Sequence, residues 1–457
     1  MSGSTTSQGF AFSREQFQQI IEDALGVARH VGASDAAAEV SEGAGLSVSV
    51  RKGEIENVER NRDKSLGITV YLGQRRGNAS TSDFSRAALE QTVRAAFDIA
   101  RFTAEDPAAG LPDVADLATA EEAARDLDLF HPWALDADGA ASLARRCEDA
   151  AFATDRRITN SEGAATSAQQ SHFWAGNSRG FRGGYASSRH SISVAPIAGR
   201  GAQMERDAWY SSMRSAMAMA SPESIGRYAA QRTLARLKGR KIATCEVPVL
   251  FENTLAAGLL GAYVQATSGG ALYRRATFLL DSVGQQVMAP HLDIEEDPFI
   301  LQGKASAAFD DEGVRTRRRT VLDAGVVQGY FLSSYSARKL GLATTGHAGG
   351  AQNLVWRSRL TQPGDHLEQM LRKLGRGLFV TELMGHGVNS VTGDYSRGAA
   401  GFWVDGGRIV HPVHEVTIAG NLKDMFRRIV AVGADAYTMG GKTVGSVLVE
   451  SMKVAGS

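Results

Sequence analysis

Apolar and polar positions along this chain follow first a helical rhythm and then the alternation of strands. Phe17, Ile20, Ile21, Ala24, Leu25 and Ala28 recur at helical spacing behind Ser13-Arg14-Glu15-Gln16, a capping box, so a helix begins there. Leu46, Val48 and Val50 alternate with small polar residues, which predicts a strand over Leu46 to Arg51. Further strands follow over Glu54 to Glu59, Ser65 to Leu72 and Arg75 to Ser82, separated by Gly, Asn or Asp turns. A second helix runs from Ser85 to Phe102, with Leu89, Val93, Ala96, Phe97 and Ala100 on one face.

The stretch Thr103 to Asp138, rich in Ala, Asp, Glu and Pro, reads as an ordered excursion or linker, and a helix follows over Gly139 to Thr154. Ile158 to Met213 reads as a meander of short strands with aromatics on its faces, closed by a helix from Ser221 to about Leu237. A boundary is expected near Lys238 to Thr244. Beyond it come the strand Glu246 to Phe251, a Gly-rich helix Leu255 to Thr267, and a glycine-dense, largely β region interrupted by the helix Asp365 to Lys373. The expected fold class is α+β. An N-terminal half (1–240, with sub-parts 13–102 and 139–240) has a mixed or antiparallel sheet with helices, and a C-terminal half (241–457) is Gly-rich and mostly antiparallel β with a few helices.

Length and charge narrow the function classes. The 457 residues suffice for about three domain-sized units, and Lys plus Arg equals Asp plus Glu at 50 each, which offers no field for nucleic acid or an anionic membrane. Cys147 and Cys245 form no C-x-x-C and suit a reducing compartment. The Ser-, Thr- and Gln-rich start, expected to be disordered, has neither a basic n-region nor an apolar h-region. No run of about 18 apolar residues occurs, so neither signal peptide nor membrane span is expected, and the reading is cytoplasmic.

The region from Thr381 to Phe426 is the most particular. Glu382-Leu383-Met384-Gly385-His386-Gly387, Thr392-Gly393-Asp394-Tyr395-Ser396-Arg397-Gly398, Phe402-Trp403 and Ile418-Ala419-Gly420-Asn421-Leu422-Lys423-Asp424-Met425 together resemble the PmbA/TldD family of bacterial proteases, on its PmbA (TldE) branch. Upstream, Ser268 to Arg274, Phe309 to Thr316, Ser334 to Gly341 and Thr345 to Gly350 match the same branch in order. The resemblance implies a two-subunit, zinc-dependent protease that degrades unfolded or small peptides. In it one subunit carries the metal and the other completes the cleft.

A hydrolytic zinc needs about three protein ligands, a glutamate base and an open position for water. The metal-bearing branch has His-Glu-x-x-x-His on a helix and a late cysteine in a Met-Cys-Gly-Lys run. Here the corresponding helix reads Leu255-Ala256-Ala257-Gly258-Leu259-Leu260-Gly261-Ala262-Tyr263-Val264-Gln265, with no His, Cys or carboxylate, and the late run reads Met439-Gly440-Gly441-Lys442. None of the ten histidines has helical His-x-x-x-His spacing. His411 and His414 fall in a strand context, where i and i+3 diverge.

The chain is therefore expected to hold no catalytic residue, metal or cofactor of its own, with zinc in a metal-bearing TldD-like paralogue, and a homodimer of the isolated chain is open. His347 and His386 in Gly-flanked loops, and Asp394, Tyr395, Ser396 and Arg397 in a Gly-flanked block, are the candidates for contact with peptide substrate or partner. Arg315, Arg317, Arg318 and Arg319 read as a solvated sheet face or a contact for an acidic partner. Gly441-Lys442-Thr443 lacks the first glycine of a phosphate loop, and no Gly-x-Ser-x-Gly elbow occurs. Two other readings stay open: an autonomous metallopeptidase using His347, His386 or His414, and a non-proteolytic protein-binding modulator, in line with the family's older description as a modulator of DNA gyrase.

Overall fold

The computed structural model describes residues 9–456; the Ser-, Thr- and Gln-rich start, residues 1–8, lies outside them. The chain divides into two compact units. One is the chain up to Leu234 together with Ala308–Arg315, and the other is Ala235–Ala307 together with Thr316 onward.

The first unit is built on one antiparallel sheet. Its long strands are β1 (Asp35–Arg51), β2 (Glu54–Leu72), β3 (Arg75–Thr81), β4 (Ile158–Asn177) and β5 (Ala186–Ala198), in the order β3-β2-β1-β4-β5, with three short strands completing eight. β1 and β2 each run unbroken through Gly, Asn and Asp positions that read as turns in the sequence. Every residue from Asp35 to Ser49 finds a partner across the hairpin, and that pairing overrides local turn preference. Helices α1 (Arg14–His30) and α2 (Arg86–Phe102) cover the face formed by Ala36, Ala38, Val40, Leu66, Ile68 and Val70. The α1 capping box at Ser13 and Gln16 is formed as expected. Helix α3 (Ala137–Thr154) presents Ala140, Ala141, Ala144 and Ala151 inward.

Ala308–Arg315 belongs with this unit although it follows the expected boundary. Its Phe309 ring meets Phe181 at 4.9 Å and Tyr185 at 5.9 Å, so the meander's aromatics form a core around a residue distant in sequence. Arg315 is correspondingly not part of a solvated patch. Its guanidinium donates to Leu117 O at 2.7 Å and lies 3.4 Å from Glu122.

The second unit has two sheets. In one, Val326–Val327, β8 (Arg319–Asp323), β7 (Leu292–Glu296), β9 (Leu354–Ser358), β14 (Lys442–Val444) and β13 (Tyr437–Met439) lie in that order, with only β9 and β14 parallel. In the other, β12 (Arg408–Asn421), β11 (Asp394–Asp405), β10 (Gly377–Met384), β6 (Cys245–Phe251) and β15 (Val447–Ala455) are neighbours in turn, and β12 also pairs with β15, closing the five into a ring. The shared core holds helix α5 (Asn253–Ala266) through Leu259, Leu260 and Tyr263, with Trp356 and Phe426 packed edge to face. The composition of this unit, mostly antiparallel β with few helices, agrees with the α+β class.

Gly226 lies in the helix α4 (Pro222–Ala235) where it crosses α3, and a Cβ there would sit 2.1 Å from Cys147 O. Helix propensity alone favours Ala over Gly by about 1 kcal/mol. The backbone contact reverses that sign, and Gly226→Ala is expected to destabilise the first unit by about 1–3 kcal/mol. Urea unfolding checks it, and a stabilised variant would show that the two helices separate at little cost.

Candidate functional site

The two stretches that the resemblance connects with metal chemistry do meet in the folded chain. Helix α5 packs beside β13 and β14. Its first residue, Asn253, donates from its side chain to Asp435 O at 2.6 Å, just ahead of β13. Asp435 Oδ1 in turn accepts the Ser446 N–H at 2.8 Å, fixing the approach to β15. Between β13 and β14 stands the Gly440-Gly441 turn, with Gly440 at φ +59°. Lys442 reaches back over the helix, its Cε 3.6 Å from where a Cβ on Gly261 would be, whereas a Cβ on Gly258 would meet nothing within 4 Å.

This donor set does not fit a zinc ion. The helix contributes glycine, alanine, leucine, a buried tyrosine and an amide, with no imidazole, thiolate or carboxylate. The strand turn contributes glycines, and beside the helix stands a lysine stem whose ammonium repels a divalent cation. Among the described residues no group of three or more His, Cys, Asp or Glu is arranged to hold a metal. His411 and His414 lie on β12, where His411 Nδ1 contacts Pro412 O at 3.0 Å and the His414 ring lies against Gly239.

His347 is not a loop contact open to a cleft. It is 6% exposed and sits in a buried charged cluster. Its Nε2 lies 2.9 Å from Glu296 Oε2 and its Nδ1 2.9 Å from Thr345 Oγ1. Arg319 Nε donates to the same carboxylate oxygen at 2.7 Å, and the Gln352 N–H donates to Oε1 at 2.7 Å. An ionised carboxylate only accepts, so Nε2 carries the ring proton and Nδ1 accepts from the threonine hydroxyl. Burial pushes the Glu296 carboxyl up, but the His347 hydrogen bond and the charges around it outweigh burial and hold it below the usual range. For His347 burial wins over the Glu296 bond, and its pKa falls.

The Thr–His–Glu chain has the order of a hydrolytic triad, yet Thr345 Oγ1 already accepts the Leu332 N–H at 2.8 Å, and Arg319 neutralises the carboxylate. It is a structural network. Arg319 is accordingly an inward residue at the head of β8, stacked 4.7 Å over Phe331, while Arg317 and Arg318 remain exposed. Glu296, in the run Asp293-Ile294-Glu295-Glu296, belongs to no motif that the sequence singles out. The signal was the period of two: Leu292 and Ile294 are buried, so Glu296 shares their face.

Asp394, Tyr395, Ser396 and Arg397 open strand β11 and do not form a single loop site. Alternation sends Tyr395 inward, 4% exposed, with Arg397 half-buried on the same face, while Asp394 and Ser396 face out. Asp394 bonds Thr392 Oγ1 at 2.7 Å and Asn421 Nδ2 at 3.0 Å, which fixes the turn into the strand. Burial, only partly offset by Arg397, raises the Tyr395 hydroxyl to about 12. His386 is exposed in the 385–393 connection. That connection lies flat on β11: Ser396 N donates to Gly387 O at 2.6 Å, and a Cβ on Gly387 would stand 1.6 Å from Ser396 O. Met384, Val388 and Val391, at 44%, 37% and 52% exposure, put three apolar side chains on this surface.

Glu296 and His347 both bind protons less readily folded than unfolded, so acid favours the unfolded chain. The His347 share of stability is lost as pH falls below its ordinary value near 6.5, and the Glu296 share as it falls below about 4.3. Glu296→Gln should cost about 3 kcal/mol at neutral pH, because it leaves Arg319 without its carboxylate, and should flatten the lower part of the acid limb. Urea midpoints of both proteins between neutral and acid pH test this, and an unchanged acid limb in the variant would clear the cluster of that role.

Three family profiles cover most of the chain: PmbA/TldA metallopeptidase domain 1 over residues 36–100, central domain over 130–237 and C-terminal domain over 244–456. The chain is 51% identical over 445 residues to "Metalloprotease PmbA" of Escherichia coli O157:H7, covering 97% of each protein. It is 44% identical over 443 residues to "Metalloprotease PmbA homolog" of Haemophilus influenzae, again covering 97% of each. Among solved structures it is similar to a putative modulator of DNA gyrase from Bacteroides thetaiotaomicron, with a TM-score of 0.90, 25% identity, and coverage of 97% of this chain and 100% of that one. The fold is also shared with TldE from Thermococcus kodakarensis, with a TM-score of 0.81 at 19% identity, over 96% of this chain and 100% of that one. On the profiles and the full-length identity together, the chain belongs to the PmbA/TldD metallopeptidase family, on its PmbA branch.

Proposed function

We propose that this chain is the metal-free subunit of a cytoplasmic, two-subunit zinc protease, completing the substrate cleft for a TldD-like paralogue that supplies the metal, and that the pair degrades unfolded or small peptides. The observation that carries this reading is the pairing of two ligand-free positions. Helix α5 and the Gly440-Gly441 turn come together in the fold, and each has apolar or glycine residues where the resemblance implies ligands. Edge strand β13 lies beside that helix at the end of its sheet, a geometry suited to holding an extended peptide by strand addition. In the proposed assembly His386, Asp394 and Ser396 lie with Val388 and Val391 at the subunit junction, and Tyr395 and Arg397 support that surface from within.

Purified alone from zinc-replete medium, the chain is expected to carry no stoichiometric zinc by elemental analysis and to show little peptidase activity. Mixed with the metal-bearing paralogue, it should restore chelator-sensitive peptide hydrolysis, since a half-cleft positions neither substrate nor water. Efficient hydrolysis by the isolated chain would favour an autonomous enzyme. Absence of any effect on the paralogue would favour a non-proteolytic modulator.

The junction has its own test. Val391→Asp changes an exposed side chain, so the isolated chain should melt within about 2 °C of wild type. Association with the paralogue, read by sedimentation velocity, should weaken about tenfold or more if Val391 lies at the centre of the contact. Unchanged association would remove the 385–393 connection from the junction.

A further inference from the structure

The helical layer of the first unit has a gap that the proposed cleft does not use. A cavity of about 920 Å³ opens there over β1, β2, β4 and β5. One row of cross-strand partners runs across its floor: Arg60 pairs with Leu46, Leu46 with Ala168, and Ala168 with His190. The two middle residues are small or apolar, and a chemical handle stands at each end. Adjacent strands lie about 4.8 Å apart, so the backbones at the two ends of the row are about 14 Å apart.

At the first end Arg60 is exposed, and among the described residues no ion pair or side-chain hydrogen bond engages its guanidinium. Its neighbour Arg62 donates to Gly9 O at 3.1 Å and stands 4.0 Å from Glu42. At the far end His190 is 1% exposed, and its Nε2 donates to His131 O at 2.8 Å. That bond assigns the ring proton to Nε2 and leaves Nδ1 a buried acceptor without a partner. Trp133 meets the His190 ring edge-on at 5.3 Å and walls this end. The start of α3 borders the cavity, with its first turn capped by Asp136, which accepts the Gly139 N–H at 2.8 Å.

We propose that this gap is a binding site for the C-terminal end of an extended peptide, with the terminal carboxylate on Arg60 and a backbone N–H near His190 Nδ1. A guanidinium takes a carboxylate through two parallel N–H bonds, and an orphaned imidazole lone pair calls for a donor, so the ligand brings an anion at one end of a row about 14 Å long at the backbone and an N–H at the other. An extended chain of about four residues spans that distance. The Ala44, Leu46 and Ala168 floor accepts small side chains and leaves the backbone close to the sheet. Residues 1–8, MSGSTTSQ, contain no carboxylate that would satisfy Arg60 from within the chain. The inference stands apart from the zinc-protease reading, because the site and its ligand need neither metal nor paralogue.

Isothermal titration calorimetry of the full chain alone, with N-acetyl tetra-alanine as the free acid and as the C-terminal amide, tests it. The acid is expected to bind saturably, with the amide at least about tenfold weaker. Arg60→Gln, an exposed change on the part of β2 that β3 does not pair with, should weaken the acid by a similar factor and abolish the difference between the two peptides. Arg357→Gln, an exposed change in the other unit, should leave binding as it is. No saturable binding at millimolar peptide, equal affinity for acid and amide, or an Arg60→Gln protein that binds like wild type would each overturn the proposal. So would a peptide amide with an internal glutamate that binds as tightly as the free acid, since the site would then read an acidic side chain.

Discussion

The second unit is organised around one buried carboxylate. Glu296 ends β7, takes Arg319 from the head of β8, and binds His347 and the Gln352 N–H from the segment that leads into β9. Three neighbouring elements of one sheet are thereby pinned at the same end. A carboxylate buried to this degree is costly unless both oxygens are hydrogen-bonded, and here a guanidinium and an imidazole serve one and a backbone amide the other. An apolar residue in its place would pack, but it would give the segment from Thr345 to Gln352 no reason to take one path. The network buys specificity of that path, and the helix α5 and the Gly440-Gly441 turn are placed by the same core.

How far the sequence foretold this architecture depends on what each residue's neighbours are. Helix α1 with its capping box, helix α2, the helix over Leu255 to Thr267 and the strand before it were legible, because their signals are local: caps, helical spacing and bounded apolar runs. In the sequence the β1–β2 hairpin reads as separate pieces, since Asn, Asp and Gly weigh as turn residues until a partner strand supplies their hydrogen bonds. Ala308–Arg315 could not be assigned to the first unit, because the Phe309 contacts with Phe181 and Tyr185 join residues more than a hundred positions apart, and periodicity carries no information at that range.

The candidate site shows the same division. The absence of ligands on helix α5 is a property of residue identity and needs no coordinates, whereas His347 was misread for lack of them. Gly346 and Gly349-Gly350 around it describe a flexible loop by composition, but a buried partner at Glu296 converts the loop into part of the core. Asp394 to Arg397 failed differently. Read as a Gly-flanked loop its four side chains converge; on a strand they must alternate, and Tyr395 and Arg397 are turned away from Asp394 and Ser396 by the pleat.

On the proposed reading, a subunit without metal would still have to keep the shape of the shared cleft, and packing around helix α5 would take over the task of the ion. In a zinc site, ligands from a helix and a distant strand are tied through the ion, which contributes folding energy as well as chemistry. Here the equivalent tie is made by packing and hydrogen bonds: Leu259, Leu260 and Tyr263 bury the inner face of α5, Asn253 bonds Asp435 O, and Asp435 holds Ser446. Gly258 and Gly261 keep the outer face low, and the Lys442 stem lies across the second of them. Such a surface can be a wall for a peptide held by another chain's chemistry, because it leaves space along the helix while offering no group that would compete for the metal or its water.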